Sequence, residues 1–253
     1  HIQNALEYPE LEYAHLPLVL GADKKRLSKR HAATSLGEYK DEGYLDSAIL
    51  NTLARLGWSR GDKEVFYLDD LIKDFDITEV QKAGAIFDVT KLDFLNSQHM
   101  ANLSHDDFII AINPFLNNLE ININEHPKKD LLIESMRSSA NTLKGVANNL
   151  ICYFKEIENY DQKAIDKFIG SSDKVLVDIK EKIIDMNTWD ESSLDNILLE
   201  YREEKELSIP KVNQPIRIAL TGSTNSPSLG TTLYLFDKEK VIERLDALIA
   251  FVH

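Results

Sequence analysis

Along most of the chain apolar residues recur at helical spacing. Leu45, Ile49, Leu53 and Leu56 fall on one stripe, and Gly57 is placed to end that helix. Residues 68–75 predict a short helix. Asp88 is placed to cap another, running through Leu92, Leu95 and Met100. Ser104-His105-Asp106-Asp107 reads as a further start, with acid in the first turn. Thr188-Trp189-Asp190-Glu191 has the form of a capping box and leads into Leu194, Ile197, Leu198 and Tyr201. The last helix begins near Lys238, with Val241, Ile242, Leu245, Leu248, Ile249 and Val252 on one face. Strand signals are few: 14–20, where Pro17 interrupts a buried strand or extended segment, then 64–67 and 216–220. The fold class is mainly α. Residues 122–128 and 221–231 read as irregular, the first being the best linker on composition, with a second break at 159–161.

Composition narrows the class. Of 253 residues, 43% are apolar and 28% charged, which are globular proportions rather than disordered ones. The longest apolar runs fall far short of the ~20 residues a membrane helix needs, so no membrane partner is expected. The single cysteine, Cys152, forbids an intramolecular disulfide and a multi-cysteine zinc site. With no signal peptide visible, a cytoplasmic location is expected. The chain starts at His1, and is read as part of something longer. Net charge is −13, but residues 1–63 balance nine Lys/Arg against nine Asp/Glu, so the whole excess falls on 64–253. Nucleic acid could be bound only by local basic surface, not by bulk charge.

One segment asks for chemistry. In Lys24-Lys25-Arg26-Leu27-Ser28-Lys29-Arg30 five of seven residues are basic. A solvated loop or targeting patch would account for the charge. So would a polyphosphate clamp, in which Lys29 and Ser28 face the phosphates while Leu27 pins the loop to the protein. Neither G-x-x-x-x-G-K-[ST] nor a strand-linked G-x-G-x-x-G is present.

These residues carry a resemblance. Ala14 to Gly21, Asp23, Leu27-Ser28-Lys29-Arg30-His31 and Thr34-Ser35 resemble the K-M-S-K-S loop region of bacterial glutamyl-tRNA synthetases, which are class I aminoacyl-tRNA synthetases. Tyr39, Gly43-Tyr44-Leu45, Leu56-Gly57-Trp58-Ser59, Phe87-Asp88, Lys91-Leu92 and Leu95-Asn96 are similar in order and spacing, as are Gln214-Pro215-Ile216-Arg217 and Ala219 to Ser223. The family's H-I-G-H signature and its nucleotide-binding half are not in this sequence. The resemblance implies the C-terminal, tRNA-binding part of a glutamate–tRNA ligase, inactive by itself. It implies a stem-contact region (1–104) followed by an all-helical cage of two anticodon-binding subdomains (105–160 and 161–253).

It also implies roles. Lys29 would be the catalytic residue that stabilises the triphosphate as glutamate attacks, within an ATP-binding loop of Arg26, Leu27, Ser28, Lys29 and Arg30. The loop's first lysine is replaced by Arg26, and a frequent glycine by Ala32. Arg137, Ser139, Arg217, Ser226 and Leu229 would contact tRNA. Ser139 stands where the family's discriminating residue is arginine, which leaves tRNA(Gln) open as a partner beside tRNA(Glu). ATP with Mg2+ and glutamate serve the intact enzyme; no metal is expected on this chain, and a monomer is expected.

Plainer readings stand beside these. Arg217 has a surface or interhelical ion pair as its alternative, and Arg137 a solvated helical charge. His99, His105 and His126 lack ligand spacing. Trp58 and Trp189 read as packing residues, Cys152 as a buried small hydrophobe, and Glu200 to Glu206 as a solvated face. A non-catalytic RNA-binding module derived from such a synthetase is the alternative function; a helical scaffold lacks the repeat it would need.

Overall fold

Two very short strands, β1 (Val19–Leu20) and β2 (Ala85–Ile86), meet in parallel, with Val19 opposite Ala85 and Leu20 opposite Ile86. They belong to a computed structural model that describes residues 1–27, 35–170 and 173–253. The chain forms two compact units, His1–His99 and Met100–His253.

The first unit holds α1 (Ile2–Ala5), α2 (Leu36–Asp41), α3 (Asp46–Ala54), α4 (Leu68–Asp74) and most of α5 (Val89–Asn102). Gly84 lies beside the strand pair. A Cβ there would sit 2.9 Å from Leu20 Cδ1 and 3.2 Å from the Leu18 carbonyl oxygen, so a larger residue would force the strands apart. Two apolar clusters fill the unit: Tyr39, Phe87 and Leu92, and Trp58, Phe66 and Leu71. Asn51 ties the second region together. Buried on α3, it donates to the Glu64 carbonyl (3.1 Å) and accepts from Phe66 N–H (2.9 Å). Its Oδ1 also lies 3.1 Å from His99 Nε2, so that nitrogen carries the proton.

The second unit is helical: α6 (His105–Asn118), α7 (Lys129–Met136), α8 (Leu143–Leu150), α9 (Gln162–Phe168), α10 (Asp173–Ile184), α11 (Glu191–Glu204), α12 (Ile209–Thr221), α13 (Leu229–Leu235) and α14 (Lys238–Val252). Helix α12 is central and packs against α9, α10, α11, α13 and α14, which buries Val212, Pro215, Ile216, Ile218, Ala219 and Leu220. Helix α14 lies along α10 and α12. Arg244 is buried on its inner face and donates to the Leu220 and Lys155 carbonyls across Phe236.

The starts at Asp88 and Ser104 are as the sequence predicts. Asp88 Oδ1 accepts from Thr90 N–H (2.9 Å) and Ser104 Oγ from Asp107 N–H (3.1 Å). Other expectations need correction. The 216–220 run is helix, since a segment buried on almost every side has the same unbroken apolar pattern as a buried strand. Residues 64–67 are extended but unpaired, and within 14–20 only Val19 and Leu20 are strand, with Leu16 and Leu18 exposed. The Thr188 box is displaced: Asp190 is the cap, and its side chain accepts from Ser193 N–H (2.8 Å). The inner face of α3 carries Ala48, Asn51 and Thr52, while Leu53 is exposed. The 122–128 stretch holds a short 3-10 helix, Ile123–Glu125, with Ile123 and His126 buried, so it is a packed connection and not an open linker.

Candidate nucleic-acid interface

The basic segment leaves β1 through a tight turn. Gly21 N–H donates to the Lys25 carbonyl (2.8 Å), Lys24 N–H to that of Gly21 (2.9 Å), and Lys25 N–H to Asp23 Oδ1 (3.0 Å). Lys24 takes φ +60°, in the left-handed region. Arg26 pairs back on Leu20 in an antiparallel bridge and keeps its side chain exposed. Leu27 N–H donates to the Val19 carbonyl (2.9 Å), and its side chain packs on the cluster of Tyr39, Phe87 and Leu92. Five cations in seven residues repel one another, so a partly buried apolar side chain packed on the core fixes where that charge emerges. Ser28, Lys29 and Arg30 lie outside the described residues. Among the described residues, Ser35 follows next and caps α2 in a reciprocal box with Glu38.

The expected RNA-binding residues lie in the helical unit. Ser139 sits in the corner after α7. Its carbonyl oxygen accepts from two amides, Asn149 Nδ2 and Asn225 Nδ2, each at 3.0 Å. Asn225 comes from the loop between α12 and α13, so this carbonyl joins two loops 86 residues apart in sequence. Arg217, on the last turns of α12, reaches the same loop and donates to the Pro227 carbonyl (2.8 Å). Its guanidinium is half-buried, which pulls its pKa down, and its Nε is buried without a partner. Ser226 Oγ lies 2.9 Å from Thr232 Oγ1. Gly222 opens the loop at φ +75° and ends α12.

Ser139, Arg217 and Ser226 are thus brought to one end of the helical unit. Leu229 differs, because its side chain is buried at the start of α13 and offers RNA no apolar surface. Arg137 differs too. Its guanidinium donates to the Met100 (3.0 Å) and Leu103 (2.6 Å) carbonyls, pairs with Glu134 and covers the Phe108 ring. Its guanidinium thus closes the corner between α5 and α6. Sequence reasoning missed Asn149 and Asn225. Asn225 stood in a polar loop and Asn149 on a helix, and neither pattern reveals a shared acceptor 10 and 86 residues away. Among the described residues no group of three or more His, Cys, Asp or Glu is placed to hold a metal, and no helix is long and apolar enough to cross a membrane.

Comparison with known proteins bears on this geometry. Residues 107–249 match the family model described as "Anticodon binding domain", and residues 1–94 match "tRNA synthetases class I (E and Q), catalytic domain". Glutamate–tRNA ligase 2 of Halorhodospira halophila is 36% identical over 246 residues, covering 97% of this chain and 52% of that protein. The glutamate–tRNA ligase of Thermodesulfovibrio yellowstonii is 38% identical over 254 residues, covering 98% and 55%. A crystal structure of a glutamate tRNA ligase from Elizabethkingia meningosepticum, in complex with its amino acid, superposes with a TM-score of 0.80 at 27% identity, covering 100% of this chain and 54% of that one. This chain therefore spans about half the length of the relatives it matches. With a mainly helical fold, a class I catalytic segment and an anticodon-binding domain over more than half its residues, the chain belongs to the glutamyl-tRNA synthetase family.

Proposed function

We propose that this chain is the tRNA-binding part of an ATP-dependent glutamate–tRNA ligase, with its helical unit inspecting the anticodon of tRNA(Glu). The observation that carries the reading is the convergence of the Ser139 corner, Arg217 and the 222–228 loop inside the segment that matches an anticodon-binding domain. Splayed loop bases are read by edge hydrogen bonds and stacking, and this end of the unit offers hydroxyls, amides and one guanidinium rather than a broad basic face. That suits a unit carrying a large negative excess.

The basic segment serves the other half of the reaction. Lys29, flanked by Ser28 and Arg30, holds the triphosphate while the glutamate carboxylate attacks the α-phosphorus and pyrophosphate leaves. Leu27, partly buried against the core cluster, supports this role because it anchors the segment just before Ser28. The ATP and glutamate sites of the complete ligase draw on residues beyond this sequence. Magnesium accompanying ATP is assigned no residue of this chain. Use of tRNA(Gln) is kept in the proposal because Ser139 supplies a hydroxyl and no cation there. The two-subdomain division of the helical region near residues 159–161, a monomeric state and a cytoplasmic location belong to the same proposal.

The test is binding of this chain to a 17-nucleotide hairpin carrying the tRNA(Glu) anticodon, beside a hairpin with the same stem and a swapped anticodon. The cognate hairpin is expected to bind at least tenfold more tightly, while the chain by itself charges no tRNA. Equal affinity for both hairpins, or glutamylation by this chain alone, overturns the reading.

A further inference from the structure

Ser139 lies where α7 gives way to α8, and its backbone is fully engaged. Its N–H donates to the Met136 carbonyl at 2.9 Å, and its own carbonyl accepts the side-chain amides of Asn149 and Asn225. A close approach fixes the corner from the other side. A Cβ at Gly145 would stand 2.7 Å from Ala140 Cβ, and Thr142 Oγ1 caps α8 by accepting from Gly145 N–H at 3.1 Å. Asn149 is on the last turn of α8, half-buried but off the inner face of Leu143, Val146, Ala147 and Leu150. Its side chain is therefore placed to bond the corner rather than to fill the core.

The Ser139 hydroxyl is the informative group. Asn149 Nδ2 lies 3.3 Å from Ser139 Oγ as well as 3.0 Å from the Ser139 carbonyl oxygen. A carbonyl only accepts, so Asn149 must present its nitrogen here and not its oxygen. An amide nitrogen only donates, so Ser139 Oγ accepts in that contact and its single proton is left over. Neighbouring hydroxyls spend theirs on backbone. Ser135, four residues earlier on α7, donates to the Leu132 carbonyl (3.0 Å). Thr221 Oγ1 donates to the Arg217 carbonyl (2.9 Å) and Ser226 Oγ to that of Pro227 (3.2 Å). Ser139 is held the other way round, and among the described residues its hydroxyl donates to none.

We propose that Asn149 is a positioning residue for RNA binding: by holding both Ser139 oxygens as acceptors, it turns the hydroxyl proton outward to a hydrogen-bond acceptor of the RNA loop. The proposal rests on the reading of this end of the helical unit as the RNA-binding one. Two acceptors share that chemistry, a base edge and a phosphate oxygen. Without the amide, Oγ is free to rotate, and its proton can turn back onto a carbonyl of its own turn as that of Ser135 does. Asn225 has a different duty, since it bonds the carbonyl, which an alanine at position 139 would keep.

The experiment is a double-mutant cycle on hairpin affinity. Asn149→Ala, Asn225→Ala, Ser139→Ala, and each asparagine variant combined with Ser139→Ala, are titrated by fluorescence anisotropy with the cognate and the anticodon-swapped hairpins. Urea unfolding of each variant first sets conditions in which all are folded. Asn149→Ala is expected to weaken binding about fivefold, the usual net contribution of one hydrogen bond, and to weaken it no further once Ser139 is replaced. Asn225→Ala is expected to weaken binding by the same factor in both backgrounds. If the outward proton meets a base edge, the Asn149→Ala loss falls on the cognate hairpin alone; if it meets phosphate, the loss is equal for both. The proposal is overturned if Asn149→Ala has no effect, or the same effect in both backgrounds, as an amide that merely supports the corner would show. It is also overturned if the Asn225→Ala loss vanishes together with that of Asn149→Ala, because Ser139→Ala would then have dismantled the corner. The reading of the site fails separately. Equal binding of both hairpins by the unaltered chain removes anticodon recognition and leaves the cycle to decide the role of Asn149, and binding of neither removes both.

Discussion

Arg217 shows what a single side chain can be asked to do. Its donated bond to the Pro227 carbonyl holds the loop that also supplies Asn225 and Ser226. Partial burial makes the cation less favourable than in water, so its remaining donors gain by meeting an RNA acceptor. Arg217→Ala is expected to weaken the cognate hairpin by about 1–3 kcal/mol and the anticodon-swapped hairpin by much less, measured by fluorescence anisotropy. Equal losses for both would reduce Arg217 to a general phosphate contact. The sequence motif drew attention to this residue, yet the Pro227 bond was not legible in it, because a carbonyl partner leaves no trace in residue type.

Two buried histidines set a pH response. His99 donates to Asn51 and stacks edge-on with Tyr67, and His126 accepts from Lys128 N–H at 3.1 Å. Burial lowers both pKa values below the ordinary imidazole range, with the Lys128 charge adding to the effect at His126. In the unfolded chain each takes up a proton near pH 6.5, while in the folded chain each stays neutral to lower pH. The unfolded state therefore binds more protons as pH falls below about 6.5, and stability falls with it. Exposed His105 works in the opposite direction: Glu134 and Asp130 raise its pKa, giving stability below 6.5 that fades as pH rises through the raised value. Solvent screening keeps that contribution small. The urea midpoint is expected to drop between pH 7.5 and 5.5, and His99→Gln is expected to shrink the drop. A midpoint that holds constant for the unaltered chain would refute the account. Cys152 needs no such role, since burial pushes its thiol up to about 12 and keeps it protonated.

At the scale of elements, Gly222 couples a helix end to the candidate RNA loop. It takes φ +75°, and a Cβ there would lie 3.1 Å from Ile157 Cγ2 and 3.2 Å from the Asn159 carbonyl oxygen. Its own carbonyl accepts from Asp161 N–H at 2.9 Å, just before α9. Gly222→Ala combines a left-handed backbone with crowding, and is expected to cost about 1–2 kcal/mol in urea unfolding. It should weaken hairpin binding as well, since the 222–228 loop starts there. A variant with unaltered stability would show that the backbone can relax without cost. Helix existence was legible wherever apolar residues recur every three or four positions, as in α14. The buried face was less so. Leu53 has the apolar character of a core residue, yet Asn51 occupies the core of α3 because its amide satisfies the Glu64 carbonyl and the Phe66 N–H. Hydrophobic spacing cannot forecast a polar residue buried for its bonds.

The whole molecule separates two kinds of charge. Residues 1–63 are neutral overall despite the dense cationic segment, and the remainder carries the full −13. In the complete ligase, triphosphate chemistry and RNA inspection are therefore expected to fail independently. Lys29→Ala in that enzyme is expected to slow pyrophosphate exchange by about 10²–10³-fold while leaving tRNA affinity nearly intact. Exchange at the unaltered rate would refute the role of the segment, and a parallel loss of tRNA affinity would place Lys29 on RNA instead.

Local information was enough for the helical class, the starts at Asp88 and Ser104, and the family. Those rest on spacing, capping side chains and short motifs, all of which act within a few positions along the backbone. Packing alone assigned the burial of Leu229, the engagement of Arg137 with two carbonyls, and the meeting of Asn149 and Asn225 on one oxygen of Ser139. Each of these joins groups far apart in the chain, and a distance that no local pattern encodes comes into being only when the helices close on one another.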